Sequence, residues 1–116
     1  MQISKVVEKT YEILKKVAKR EAIITYGELY DQIGVDMKNA GERKRGSEIL
    51  REVNEVSVLE RGIMITALVV KNDTQIPGEE FFRVATQYKA LKEDALEAEK
   101  KEYWEQELEK VHETYS

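Results

Sequence analysis

The chain has 116 residues, of which 41% are hydrophobic and 36% charged, and its formal net charge is −4. This balance is typical of one helix-dominated globular domain and argues against a β-sandwich or a disordered tail. The absence of cysteine excludes disulfides, thiolate nucleophiles and sulfur-ligated zinc. Because no signal-peptide pattern and no run of about 18 apolar residues occurs, we expect a cytoplasmic protein with no membrane partner.

The first elements are two helices joined by a short strand. Apolar residues at helical spacing, from Ile3 to Ala18, predict helix one over residues 3–20. The β-branched stretch AIIT, residues 22–25, predicts a strand. Thr25 and Glu28 then form a T-x-x-E capping box, and a helix of about two turns follows that ends at Gly34.

A loop and a third helix come next. Residues 35–46, VDMKNAGERKRG, contain two glycines and four basic residues, which indicates a solvated loop. Ser47 is the expected cap of a helix that runs to Glu60. Its inward face is predicted to hold Leu50, Val53 and either Val56 or Ser57, with Ile49 and Leu59 at the edges of that face. Arg51 and Asn54 are predicted to face outward.

The remainder is predicted to form a strand, a small wing and long helices. The apolar run IMITALVV, residues 63–70, predicts a buried strand, and residues 75–77 are expected to return as a short edge strand. From Glu79 onward a helical rhythm continues without proline or glycine, with Glu79 and Glu80 starting the helix. A shift in phase predicts a kink, or a junction of two helices, near residues 99–102.

Helix, strand, helix, loop, helix, strand and wing is the order of a winged helix-turn-helix, which places its third helix in the DNA major groove. The predicted fold is therefore α+β and helix-dominated, with a winged helix-turn-helix-like core. Residues 1–91 would form that core, and residues 92–116 a terminal helix packed on the domain or on a partner, within one domain overall.

The run ITYGELYDQIG, with the helix and strand after it, resembles the DNA-binding half of the alkylguanine DNA alkyltransferases and alkyltransferase-like proteins. The resemblance covers about fifty residues and implies a DNA-binding fold. It makes Tyr26 a counterpart of a DNA-contacting tyrosine and Arg45 a candidate for the arginine that enters the duplex. Alkyl transfer is excluded, because ITALVVKNDTQIPG stands where that family has its catalytic Pro-Cys-His-Arg segment.

Three further segments, ITYGEL, TALVVKNDTQIPGEEFF and YWEQELEKV, resemble a group of small bacterial and phage proteins. That group shares a T-Y-G-E segment, an apolar strand leading into P-G-x-x-F, and a terminal W-x-x-x-L. This resemblance runs from about residue 23 to the end and implies no particular activity.

The basic segment supplies the candidate DNA-binding residues. Arg43, Lys44 and Arg45 would contact phosphates, with Ser47, Arg51 and Asn54 near the groove. The alternative is a solvated loop, since dedicated DNA-binding domains are usually more basic. The complete candidate set is Tyr26, Lys38, Arg43, Lys44, Arg45, Ser47, Arg51 and Asn54.

The terminal helix carries a second candidate surface. The apolar stripe along this helix would either form the interface of a homodimer or pack on the chain's own core. The stripe consists of Trp104, Leu108, Val111 and Tyr115.

No catalytic motif is found, and His112 among glutamates is weak evidence for a metal site, so we expect neither an enzyme nor a cofactor or metal. Two functions remain. The first is a non-enzymatic, regulatory or phage- or defence-associated DNA-binding protein. The second is a protein-binding module, such as a phage-type inhibitor that acts through its acidic C-terminal helix.

Overall fold

The computed structural model describes residues 4–115, and the helix-dominated α+β class expected from the sequence is confirmed. A 3-10 helix, Ile65–Leu68, precedes the second of two short strands. The elements are α1 (Lys5–Lys19), β1 (Ile24–Thr25), α2 (Tyr26–Ile33), α3 (Ala40–Arg61), β2 (Val69–Val70), α4 (Glu79–Gln87) and α5 (Glu97–Tyr115).

The two strands pair in parallel, with Ile24 opposite Val69 and Thr25 opposite Val70. A parallel pair cannot be joined by a tight hairpin, so the chain needs a crossover between them. Helices α2 and α3 form that crossover.

Helices α1 and α2 follow the sequence prediction closely. Thr25 Oγ1 accepts a hydrogen bond from Glu28 N at 3.2 Å, and Glu28 Oε1 accepts one from Thr25 N at 3.4 Å, so the capping box is formed. Gly34 closes α2 with a φ of 75°, a left-handed conformation that glycine adopts without strain. Ser4 caps α1, and Ile3 lies outside the described residues.

Helix α3 begins at Ala40, earlier than the predicted start at Ser47. Asn39 is the cap, because its side-chain oxygen accepts a hydrogen bond from Glu42 N at 3.1 Å. The glycines that indicated a loop lie inside the helix. Gly46 is required there, since a methyl group at this position would lie 2.7 Å from Tyr30 Cζ. Leu59, predicted to lie beside the inward face, is 81% exposed.

The predicted wing is absent from the described residues 4–115. Only Val69 and Val70 of the run 63–70 form a strand; a turn follows at residues 72–74, and residues 75–77 form no strand, although Lys71 N donates to Ile76 O at 2.9 Å. The apolar run does not extend as a strand because side chains of α3 bond its backbone. Ser57 Oγ donates to Ile63 O at 2.7 Å and accepts from Ile65 N at 3.2 Å.

The break in the C-terminal helical segment lies before the predicted residues 99–102. Helix α4 ends at Gln87 and α5 begins at Glu97. Lys89 adopts a φ of 60°, and Ala90 N donates to Ala85 O at 3.0 Å, so a non-glycine residue ends the helix. Glu79 and Glu80 occupy the first turn of α4, as expected.

Helix α5 packs on α1 and on the 3-10 segment of its own chain. Trp104 Nε1 donates to Ala67 O at 2.8 Å, and the buried Glu107 accepts from Met64 N at 2.8 Å. At the other end the Tyr115 hydroxyl lies 2.8 Å from that of Tyr11. Trp104 and Val111 belong to the same hydrophobic core as α1 to α4.

Candidate nucleic-acid interface

The turn between α2 and α3, residues 34–39, is held by two arginines of the basic segment. Arg43 Nη1 donates to Met37 O at 2.7 Å, and Arg45 Nη2 donates to Gly34 O at 3.1 Å. Arg45 Nε also pairs with Glu42 at 3.1 Å, and this hydrogen bond lowers the pKa of the Glu42 carboxyl. Both arginines therefore shape the turn, although their charges remain at the surface.

Three other basic side chains of the candidate set are exposed and have no partner within residues 4–115: Lys38, Lys44 and Arg51. Lys44 and Arg51 are seven residues apart on α3, which places them on one stripe about 10 Å apart along the axis. The N-terminus of α3 adds the positive end of a helix dipole to this region. These groups form what we call the basic end of α3, namely Lys38, Arg43, Lys44, Arg45 and Arg51.

Exposed glutamates on α3 limit how far the positive surface of the basic end extends. Glu48, Glu52 and Glu55 are exposed on α3; Glu48 and Glu55 alternate with Lys44 and Arg51 along one stripe at spacings of three and four residues, and Glu52 lies beside it. Positive potential is therefore concentrated at the first half of the helix and does not extend along its length.

Asn54 and Ser47, which were predicted to lie near the DNA groove, contribute to the packing of the domain. Asn54, expected to face outward, is only 2% exposed, and that prediction is wrong. Its amide nitrogen donates to Thr66 Oγ1 at 2.6 Å, and its oxygen accepts from Thr66 N at 3.1 Å. Ser47 is half-buried, and its hydroxyl lies near that of Tyr30.

A cavity of about 170 Å³ lies beside the basic end, between α3, the first turn of α4 and the start of α2. Tyr26 stands at its edge, where its hydroxyl oxygen accepts a hydrogen bond from Gly78 N at 2.9 Å. Burial is the main cause that raises the pKa of Tyr26, and the nearby Glu80 carboxylate adds to it, while the Gly78 N–H opposes it. The phenol therefore keeps its proton at neutral pH.

Tyr30 lies behind Tyr26, with the two rings edge to face at 5.9 Å. Burial raises the pKa of Tyr30 to about 12, and Tyr26 adds to the shift. Tyr30 is a core residue, whereas Tyr88 is 42% exposed. The sequence did not assign Glu79, Glu80 and Phe81 to this cavity. The available signal was the P-G-x-x-F pattern, which begins at Pro77, seven residues after the end of β2.

The terminal stripe is used within the chain. Trp104 and Val111 are buried, and Leu108 and Tyr115 are half-buried against the core. Since these side chains already pack on the chain itself, they form no free apolar seam.

His112 is half-buried, with Nε2 2.9 Å from Ala22 O. Within residues 4–115 no group of histidine and carboxylate side chains has the geometry of a metal site. None of the helices in this part of the chain is both long and apolar enough to cross a membrane.

The structure thus defines a helix-dominated α+β domain with a two-stranded parallel sheet and a basic helix end beside a small cavity. No protein-family model matches the chain, and comparisons with curated proteins and with solved structures found no significant match.

Proposed function

We propose that this protein is a non-enzymatic DNA-binding protein that contacts the phosphate backbone with the basic end of α3. Lys38 lies in the short turn before α3, and Lys44 and Arg51 lie on that helix. The observation that carries the proposal is that these three side chains are exposed and have no acidic partner within the described residues. Exposed basic side chains and helix N-termini are the groups that hold DNA phosphates. The element order, without the wing strands, is compatible with a winged helix-turn-helix.

The charges on α3 determine how the helix can approach. If α3 lay lengthwise in the major groove, Glu48, Glu52 and Glu55 would face phosphates on either side. An approach through the N-terminal part of α3 brings Lys38 and Lys44 to one strand and keeps Glu52 and Glu55 farther away. Arg51 then reaches the same strand past Glu48, which lies between it and Lys44. We therefore propose weak, sequence-independent binding through about three phosphates, with a dissociation constant of about 1 to 100 µM at physiological salt.

Fluorescence anisotropy of a labelled random-sequence duplex tests this proposal. If three phosphates are neutralised, the affinity should fall about 40-fold between about 50 and about 200 mM salt, because each contact contributes about 0.9 to the logarithmic slope. The test variant is Lys44→Gln with Arg51→Gln, since neither side chain holds the turn. Changing Arg43 or Arg45 would also disturb the turn and confuse the result.

The matched control is Lys16→Gln with Lys19→Gln on α1, which removes the same charge from two other exposed positions. The α3 variant should bind at least about tenfold more weakly than the control, with a salt slope reduced by about two. Equal weakening in both variants, or no binding by the parent chain at about 100 µM, would refute the proposal.

A specific feature favours a second candidate function, a module that binds a basic protein surface. Glu102, Glu105, Glu109 and Glu113 are exposed at helical spacing on α5, so four carboxylates share a face about 16 Å long. Such a face complements a basic surface on another protein. Absence of DNA binding, together with salt-sensitive capture of a basic protein that is lost when Glu105 and Glu109 become glutamine, would favour this function.

A further inference from the structure

The cavity beside the basic end of α3 has an apolar floor. Leu50 of α3 and Phe81 and Val84 of α4 line it, and all three are buried in the core. Its volume is about 170 Å³. An apolar cavity of about 150 Å³ in another protein holds one benzene ring, so this cavity can take one branched or aromatic side chain.

The polar groups around the cavity divide into those already bonded and those still available. Asn54 and Thr66 bond each other and are committed to the fold, and Ser47 lies near the Tyr30 hydroxyl. The Tyr26 oxygen accepts from Gly78 N, which leaves its proton available for donation. The guanidinium of Arg51 has no partner within the described residues.

Carboxylates line the same cavity. Glu80 pairs with Arg83 at 2.7 Å through one oxygen, and Glu79 is exposed with no partner in the described part of the chain. The cavity edge thus offers hydrogen-bond donors from Arg51 and Tyr26 and acceptors from Glu79 and Glu80. Arg83 does not line the cavity, but its ion pair with Glu80 offsets one carboxylate, so the two positive and two negative charges of this region balance. A purely anionic or purely cationic ligand would leave one set unpaired, whereas a zwitterion satisfies both.

We propose that this cavity binds a free amino acid that has a branched or aromatic side chain. The side chain lies on Leu50, Phe81 and Val84. The α-carboxylate accepts hydrogen bonds from Arg51 and Tyr26, and the α-ammonium group donates to the carboxylates of Glu79 and Glu80.

Binding of the amino acid does not depend on DNA binding, but its regulatory consequence rests on the proposed function. Arg51 belongs to both the cavity and the basic end. An amino acid that engages Arg51 competes with a phosphate for it, and the ligand should therefore weaken DNA binding.

The test is an NMR titration without DNA, following the methyl signals of Leu50 and Val84 and the ring of Phe81. The probes are L-leucine and L-phenylalanine, each beside its deaminated acid (isocaproate, hydrocinnamate) and its decarboxylated amine (isoamylamine, phenethylamine). The amino acids should shift these signals with a dissociation constant of about 1 mM or lower. The acids and amines should bind at least about tenfold more weakly, because each lacks one charge-assisted set of hydrogen bonds.

Two variants locate the ligand. Arg51→Met should weaken binding of the amino acid at least about tenfold. Arg61→Met, on the last turn of the same helix and away from the cavity, should leave it unchanged. Absence of shifts at about 20 mM ligand, equal binding of the acids or amines, or equal binding to Arg51→Met would overturn the proposal. Since no DNA is present, these results are separate from the anisotropy experiment.

Discussion

Replacement of Asn54 by alanine separates a folding role from a DNA-contacting one. Asn54 is 2% exposed and exchanges two hydrogen bonds with Thr66, at 2.6 and 3.1 Å. The substitution leaves the Thr66 N–H buried without its acceptor and removes the packing of the amide. An unpaired buried group costs about 1 to 3 kcal/mol, and with the cavity the free energy of unfolding should fall by about 2 to 4 kcal/mol.

Urea unfolding followed by the fluorescence of Trp104, the single tryptophan, measures that loss. In thermal unfolding the midpoint should fall by about 8 to 16 °C for a chain of this size. Glu55→Ala, at the next and exposed position, is the control and should change stability by less than about 0.5 kcal/mol. If Asn54→Ala kept its stability and lost DNA affinity, the side chain would face the duplex and the inferred folding role would be refuted.

Three further predictions concern packing and pH. Gly46→Ala should destabilise the fold by about 1 to 3 kcal/mol, because its methyl group would lie 2.7 Å from Tyr30 Cζ. Gly27→Ala is the control, since its methyl group would make only ordinary contacts. Equal urea midpoints for the two variants would contradict this prediction. Trp104→Phe should lose about 1 to 3 kcal/mol in thermal unfolding, since Ala67 O loses its buried donor; an unchanged melting temperature would show that the hydrogen bond is dispensable. Tyr30 should contribute a loss of about 2 to 3 kcal/mol of stability between about pH 10 and pH 12, because burial raises its pKa to about 12 in the folded state and the unfolded chain releases this proton near pH 10. Burial also raises the pKa of Tyr11 and Tyr103, so the parent chain should lose more than this, and Tyr30→Phe should lose less than the parent by the Tyr30 contribution. Urea midpoints that fall as steeply in Tyr30→Phe would assign the loss to other groups.

Local signals predicted the first part of the fold well. The T-x-x-E capping box and Gly34 act within a few residues of each other, so the bounds of α2 follow from nearby hydrogen bonds and a single positive φ. The apolar spacing of α1 reflects its packing against the core, and the structure extends that helix from Lys5 to Lys19.

Elements that depend on distant partners were not predictable in the same way. Gly46 indicates a loop by its own propensity, but the ring of Tyr30 requires a residue without a side chain at that helical position. The run 63–70 has strand propensity, yet Ser57 and Asn54 satisfy its backbone from another helix. Because these contacts form only when separate elements pack on one another, the residue spacing within each element does not reveal them. For the same reason Asn54 was assigned to a DNA-contacting face.

Arg51 connects the two proposed binding events, and this connection can be tested as a thermodynamic cycle. If an amino acid and a DNA phosphate compete for the Arg51 guanidinium, the factor by which the amino acid weakens DNA binding must equal the factor by which DNA weakens amino-acid binding. Both factors should approach one in Arg51→Met. An amino acid that binds the parent chain but leaves its DNA affinity unchanged would remove Arg51 from the DNA contacts, which would then rest on Lys38 and Lys44 alone.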